Sequence, residues 1–280
     1  MTHAIRRAPA RIATQAATTI VATAVLASTL LAAGSAHAAV GAPTPGFGGS
    51  MTDIAYGNGG NIFQLEPMLF VLGLGSSGNP QTVANRNAAL QYSFAVSGAN
   101  TGLMTIEYSV RNTSAIVSFE QLRLMVYANP DGAADFSDVL TQTWGSAITG
   151  DPILREGRAF VDPVSGILPG IGLNNNLSEG PPAIDAACTA APGCDATVGL
   201  QWNAPLLAPG ETFRVRLGLS DDGQALSGRF LQATAVSDPG SVLTLSGISA
   251  IAPVPEPGAV WMLLAGLGAL GALARRRQAG

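Results

Sequence analysis

An alternation of apolar and polar residues with a period of two constrains the fold more than any other feature. It is clearest in residues 90–96 and 104–110, where Leu90, Tyr92 and Met104 belong to the apolar set. Successive side chains of a β-strand point to opposite faces of a sheet, so each run predicts a strand with one buried face. A fold that buries one face of many strands must pack sheets against each other.

Four further runs predict strands at residues 198–202, 213–219, 230–236 and 242–248. In the 213–219 run, Arg214 and Arg216 fall on the polar parity and are expected to face water. A run over residues 117–126 changes parity partway, which a β-bulge near Glu120 and Gln121 would reconcile.

These strands, joined by turn-rich segments, predict an all-β domain over residues 61–250 with the architecture of an immunoglobulin-like or jelly-roll-like β-sandwich. Residues 39–60 are rich in glycine, proline, serine and asparagine and predict a flexible lead-in. Residues 129–196 break the alternation, and we interpret them as a long loop excursion, where binding residues are often found.

The first 38 residues have the pattern of a signal peptide. Arginines near the start precede an apolar segment at residues 20–33, which predicts a signal helix, and small residues follow at Ala36 and Ala38. We expect signal peptidase to cleave after Ala38, so that the exported protein begins at Ala39.

Removal of this segment leaves a chain without histidine, because His3 and His37 both precede the cleavage position. Serine–histidine catalysis and histidine-ligated metal sites are therefore not expected. Residues 39–255 contain eight arginines, no lysine and seventeen acids, a net charge of −9. Such a chain is a poor partner for nucleic acid. We expect no enzymatic activity, and a hydrolase based on two carboxylates is the remaining catalytic alternative.

Two cysteines, Cys188 and Cys194, are separated by five residues. In an exported protein this spacing predicts a small disulfide loop that pins one surface segment. A site in which both thiolates bind a metal is the alternative.

The C-terminus has three parts in a fixed order. A proline-rich linker at residues 251–257 precedes seventeen uncharged residues, 258–274, which are just long enough for a transmembrane helix. Arg275, Arg276 and Arg277 follow, within a tail at residues 275–280. Because basic residues remain cytoplasmic, we expect this tail inside the inner membrane and the β-sandwich outside.

The linker contains Val254, Pro255, Glu256 and Pro257, and with the apolar run and the arginines it resembles the PEP-CTERM sorting signal of exported bacterial proteins. The resemblance implies recognition at these four residues by exosortase, a membrane-bound processing enzyme. It also implies transfer from the membrane to the cell surface or to the exopolysaccharide matrix of a biofilm. It covers only about the last 25 residues, and an ordinary membrane anchor with a proline-rich neck is the alternative.

Residues 127–138 are the one segment that invites a metal ion. Counted as a twelve-residue calcium loop, they place Asn129, Asp131, Asp135 and Asp138 at ligand positions and Gly132 at the turn. Tyr127 occupies the first ligand position, which disagrees with the pattern. The alternative is an Asn-Pro-Asp-Gly turn that leaves a strand. Calcium is the only cofactor that the sequence suggests.

Taken together, the sequence predicts an exported cell-surface or matrix protein with a structural or adhesive role. The first alternative is a calcium-dependent module that binds polysaccharide or a protein partner. The second is a glycoside hydrolase that uses two carboxylates. Trp144 is the better candidate for an exposed sugar-binding aromatic residue, whereas Trp202 lies on a predicted strand and is expected in the core.

Overall fold

Strand-rich structure extends through almost all of the part of the chain that the computed structural model describes, which is residues 39–132, 137–146, 148–159, 184–253 and 265–267. The strands, in chain order, are β1 (Thr44–Pro45), β2 (Met51–Tyr56), β3 (Gly60–Val71), β4 (Gly75–Ser77), β5 (Leu90–Ser97), β6 (Leu103–Asn112), β7 (Phe119–Asp131), β8 (Asp138–Trp144), β9 (Leu154–Ala159), β10 (Ala196–Leu207), β11 (Thr212–Ser220), β12 (Arg229–Ala235) and β13 (Val242–Ala252). One short helix, α1 (Pro80–Ala84), lies between β4 and β5.

The strands form two antiparallel sheets. The first sheet has seven strands in the order β1-β2-β3-β7-β10-β9, with β4 paired to β3. The second sheet has six strands in the order β5-β6-β11-β13-β12-β8. Their apolar faces form one hydrophobic core. This arrangement confirms the predicted all-β sandwich.

The core is centred on Trp202 of β10, a fully buried side chain that projects from the first sheet. Its indole ring lies against Gly247 of β13, in the second sheet, where an added Cβ atom would be 2.7 Å from Cζ2 of the ring. Because Gly247 has no side chain, the Trp202 ring, the largest in the core, fits between the two sheets. The predicted core position of Trp202 is confirmed.

The parity change in the third predicted strand occurs where the sequence placed it, near Glu120 and Gln121. Gln121 has a positive φ of 49° and lies between the buried residues Phe119 and Leu122. The pairing of β7 with β10 keeps one register across this point, from Leu206 opposite Glu120 to Ala204 opposite Leu122. On the other side of β7, Phe70 of β3 lies opposite Arg123, whereas the Leu72 amide donates a hydrogen bond to the Glu120 carbonyl oxygen. Two residues of β3 thus span three residues of β7, so β7 bulges by one residue relative to β3 and not relative to β10.

Residues 39–60 are not a flexible lead-in, and that prediction is wrong. β2 pairs with β3, and its apolar residues Met51, Ile54 and Tyr56 are buried in the core. The glycines and asparagines that suggested flexibility form the tight turn between β2 and β3, where Gly57 has a φ of 56°.

The excursion at residues 129–196 is likewise more ordered than predicted. β7 continues to Asp131, β8 forms the edge of the second sheet, and β9 forms the edge of the first. The sequence did not predict β8 and β9, because edge strands bury less apolar surface and therefore show weaker alternation. Residues 160–183 of the excursion lie outside the described part.

The signal peptide, including Ala36 and Ala38, also lies outside the described residues, and Ala39 is the first residue within them. Of the predicted transmembrane segment, only residues 265–267 are described, as helix. No helix in the described ranges combines the length and the hydrophobicity that a membrane span requires.

A pair of glycine substitutions tests the packing of the two sheets. In Gly247→Ala, the new methyl group would meet both the Trp202 ring and the Arg216 carbonyl oxygen at 2.7 Å. Overpacking of this kind lowers the free energy of unfolding by about 1 to 3 kcal/mol. The matched control is Gly228→Ala, where nothing lies within 4 Å, and its effect should stay within about 0.5 kcal/mol. Urea unfolding measures both, and equal stability of the two variants would contradict the packing described.

Candidate functional site

The residues predicted to bind calcium do not form a twelve-residue loop. Asn129 and Asp131 belong to the end of β7, which is extended, and Asp138 is the first residue of β8. Asp135 lies outside the described residues. The side chains of Asn129, Asp131 and Asp138 are nevertheless buried, although polar side chains in a surface turn would be exposed.

The end of β7 brings other oxygen atoms close to two of these residues. Val198 of β10 pairs with Ala128 of β7, and continuation of this register places Thr197 beside Asn129 and Asp195 opposite Asp131. Leu124, Val126 and Ala128 face the core, so Asn129 and Asp131 alternate with them on the outer face of the first sheet. We refer to Asn129, Asp131, Asp195 and Thr197 as the oxygen cluster.

Each residue of the oxygen cluster carries one buried oxygen atom that is not paired with another described residue. Asn129, Asp131 and Thr197 are 6%, 8% and 3% exposed. Oδ1 of Asn129, Asp131 and Asp195 and Oγ1 of Thr197 have no hydrogen-bond partner within the part of the chain that the structure describes. Buried polar atoms normally have partners, so this group favours a proton or a cation that would supply them.

The electrostatics agree with this interpretation. Burial, followed by the charge of the nearby Asp195 carboxylate, raises the pKa of Asp131 to about 6. Burial also raises the pKa of Asp195. The Tyr56 hydroxyl donates a hydrogen bond to the main-chain oxygen of Asp131 at 3.3 Å, and burial, followed by Asp138 and Asp131, raises the pKa of Tyr56. The cluster therefore disfavours negative charge.

Among the described residues, no three histidine, cysteine, aspartate or glutamate side chains are grouped so that they could hold a metal ion. The oxygen cluster contains two carboxylates, and its other oxygens come from an amide and a hydroxyl. Calcium binding through Asn129, Asp131, Asp135 and Asp138 together remains a prediction.

The disulfide between Cys188 and Cys194 is present, as predicted. The sequence predicted that this disulfide holds a surface segment in place, but Cys188 is fully buried and part of the core. Cys194 exchanges two main-chain hydrogen bonds with Asp138, at 2.7 and 3.0 Å. The crosslink therefore fixes the start of β8 beside Asp195, next to the oxygen cluster.

Trp144 is not an exposed sugar-binding residue. It is half-buried, and the Arg229 guanidinium lies over its ring, 4.5 Å from the centroid. Arg229 also donates hydrogen bonds to the carbonyl oxygens of Gly145 and Pro152. Trp144 thus takes part in a structural contact at the end of β8.

Sequence reasoning missed a cavity of about 830 Å³ on the outer face of the second sheet beside α1. Arg111 and Arg214 line it, together with amide and hydroxyl side chains and Pro253, and its lining contains no carboxylate. A hydrolase with two carboxylates therefore has no support at this cavity. The sequence did contain a signal for this face, because Arg111 and Arg214 both occupy polar positions in strands that alternate apolar and polar residues.

The sorting residues follow the folded domain without a gap. The pairing of β13 with β11 ends at Ala252 opposite Thr212, and Pro253 is exposed. Val254, Pro255, Glu256, Pro257, Arg275, Arg276 and Arg277 lie outside the described residues.

A β-sandwich followed at once by a proline-rich C-terminal signal defines a class of exported proteins that are sorted by their C-termini. A family model described as the PEP-CTERM protein-sorting motif matches residues 253–278. The chain thus carries this motif, as predicted, and is an exported protein sorted by exosortase to the cell envelope or surface. Comparisons with curated proteins and with solved structures found no match.

The raised pKa of Asp131 predicts how stability depends on pH. Its folded value is about 6 and its value in an unfolded chain is about 3.9, so the folded protein holds the proton more tightly. The Asp131 carboxyl therefore contributes fully to the stability of the folded protein below about pH 4, and this contribution is lost as the pH rises through 6. Replacement by asparagine removes the charge, so Asp131→Asn should stabilise the protein at pH 7 by at most about 3 kcal/mol.

The measurement is the difference in unfolding free energy between Asp131→Asn and the wild type at pH 7 and pH 4.5. The control is Asp53→Asn, at an exposed position. A difference for Asp131→Asn that is the same at both pH values would show that this carboxyl does not titrate as described.

Proposed function

We propose that this protein is a structural component of the cell surface or of the extracellular polysaccharide matrix, delivered there by processing at its PEP-CTERM motif. In this proposal, signal peptidase removes residues 1–38, and residues 258–274 hold the chain in the inner membrane. Exosortase then acts at Val254 to Pro257 and separates the β-sandwich from its anchor.

The observation that carries the proposal is the position of the motif relative to the domain. The last paired residue of the second sheet is Ala252, and the matched motif begins at residue 253. Among described residues of the motif, Pro253 and residues 265–267 are exposed and outside the core. Cleavage in the motif would therefore leave every described strand intact.

The proposed role requires no chemistry from the domain. The exported chain has no histidine, and its two cysteines are joined to each other. A disulfide-linked sandwich with a large buried core suits a component that must persist outside the cell, where reductants are scarce.

Glu256 provides the sharpest test. Pro257 favours an extended conformation at Glu256, and Pro255 does the same at Val254. An extended segment is the shape that a processing enzyme can bind, whereas a simple membrane anchor needs no glutamate. Glu256→Ala should leave export and membrane insertion intact and block C-terminal processing. In a host that contains the matching enzyme, the full-length anchored form should then accumulate.

The comparison uses gel size and membrane fractionation of wild type, Glu256→Ala and the control Glu120→Ala, which changes an exposed glutamate of β7. The control should be processed like the wild type. If Glu256→Ala is processed equally well, the segment is an ordinary anchor and the proposal fails.

The oxygen cluster favours a second candidate function, calcium-dependent stabilisation or binding. Calcium takes six to eight oxygen ligands. Four buried oxygens that have no hydrogen-bond partner among the described residues lie on neighbouring residues at the ends of β7 and β10. At neutral pH a calcium ion would offset the repulsion between Asp131 and Asp195, which a proton relieves only at lower pH. Main-chain oxygens or water would complete the shell.

A calcium titration of thermal stability tests this candidate. At a hundredfold excess over the Kd, calcium should stabilise the protein at pH 7.5 by about 2.7 kcal/mol, and raise Tm by at least about 5 °C. The shift should shrink at pH 5, where protons compete, and should vanish in Asp195→Asn but not in the control Asp53→Asn. No shift in the wild type, or the same shift in Asp195→Asn, would exclude the cluster as the site.

A further inference from the structure

The arginines of the domain whose side chains are described fall into two groups. Arg86 donates a hydrogen bond to the Leu74 carbonyl oxygen, Arg123 lies over Phe70, and Arg229 lies over Trp144. By contrast, Arg111, Arg214 and Arg216 make no hydrogen bond or ion pair with any described residue. The side chains of Arg155 and Arg158 are outside the described part.

The strand register brings these three arginines to one face. Arg111 of β6 lies opposite Thr212 of β11, and Arg214 of β11 lies opposite Ser109 of β6. Arg111 and Arg214 therefore occupy diagonal positions on neighbouring strands. Residues in such positions lie about 7 to 8 Å apart, so both guanidinium groups can reach one ligand. Arg216 follows on the same face and lies opposite Glu107, which carries the opposite charge. Glu107 lines a smaller cavity together with Arg214 and Arg216, whereas Arg111 lies outside that cavity.

Arg111 and Arg214 line the 830 Å³ cavity, which we call the arginine groove. Its other lining combines amide and hydroxyl side chains, such as Gln81, Gln91 and Ser93, with apolar residues such as Ala84, Leu90 and Pro253. Hydrogen-bonding groups beside apolar surface suit a ligand that has both hydroxyl groups and apolar ring faces, as sugars do.

An aromatic end continues the groove. A second cavity of about 320 Å³ shares Gln81, Tyr92 and Ser93 with it and adds Phe47 and Phe94. Tyr92 donates a hydrogen bond to the Gly48 carbonyl oxygen at 2.9 Å, which fixes the backbone beside Phe47. The Phe47 side chain is 77% exposed and can offer its flat face to a sugar ring.

The charge of the groove is opposite to that of the domain. The exported chain carries an excess of nine acids over arginines, yet neither cavity has a carboxylate in its lining. A ligand attracted to two guanidinium groups in an otherwise acidic protein is an anion. Arginine binds carboxylates through two parallel hydrogen bonds, which gives geometric selectivity as well as attraction.

We propose that the arginine groove binds an acidic polysaccharide, with Arg111 and Arg214 holding the carboxylates of uronic acid residues and Phe47 stacking on a neighbouring sugar ring. Two guanidinium groups are too few to follow a nucleic acid backbone, where affinity rests on many phosphate contacts. The site goes beyond the sorting function, because it depends only on the folded domain.

The test measures binding of polygalacturonate to the exported protein, in the form that the host releases. Fully methyl-esterified polygalacturonate has the same sugar backbone without charge and should bind at least tenfold more weakly. This comparison uses wild-type protein, so it does not depend on whether a variant folds.

Arg111→Gln and Arg214→Gln should each weaken binding about tenfold, as expected when a charge-assisted pair is lost. The matched control is Arg216→Gln, which removes the same charge from the same face outside the larger cavity and should change affinity less than threefold. Equal binding of the esterified polymer, or equal loss in Arg216→Gln, would overturn the proposal. Binding of polyglutamate or a single-stranded oligonucleotide as tight as that of polygalacturonate, and equally dependent on Arg111, would assign the groove to another class of partner.

Discussion

The packing of Trp202 on the bare backbone of Gly247 is the contact on which the rest of the structure depends. It joins the centre of β10, in the first sheet, to the centre of β13, in the second. The same two strands also set the functional features: β10 leads back to Asp195 and the disulfide, and β13 ends where the sorting motif begins. A shift between the sheets would therefore move the end of β13, where the C-terminal segment leaves the domain, relative to the first sheet.

The sandwich could be predicted from the sequence because its central strands bury one face, as residues 90–96 and 213–219 show by strict alternation. The edge and terminal strands could not. β2 follows a run of glycine and proline, and β8 and β9 lie within segments whose composition resembles a loop. Their pairing is decided by contacts distant in sequence, such as Met51 with Leu65 and Ala233 with Leu140.

The candidate functional sites also differ in how far the sequence predicts them. The sorting motif is a linear signal, and the residues that define it are adjacent in the chain. The oxygen cluster and the arginine groove depend on strand register, which no local pattern specifies. Sequence reasoning singled out Asp131 but missed Asp195, its neighbour across the sheet. Arginines that look scattered in the sequence meet on one face because β6 and β11 pair in the register that aligns their outward positions. The two outer faces of the sandwich consequently differ, with buried acids on one and exposed arginines on the other.

The central claim is that a folded domain is separated from its membrane anchor at the point where β13 ends. The intact mass of the protein recovered from the cell surface or the extracellular matrix of its native host tests this claim most directly. The account predicts a single species that begins at Ala39 and lacks residues 258–280, with the mass of one internal disulfide. A surface species whose mass includes Arg275, Arg276 and Arg277 would contradict it.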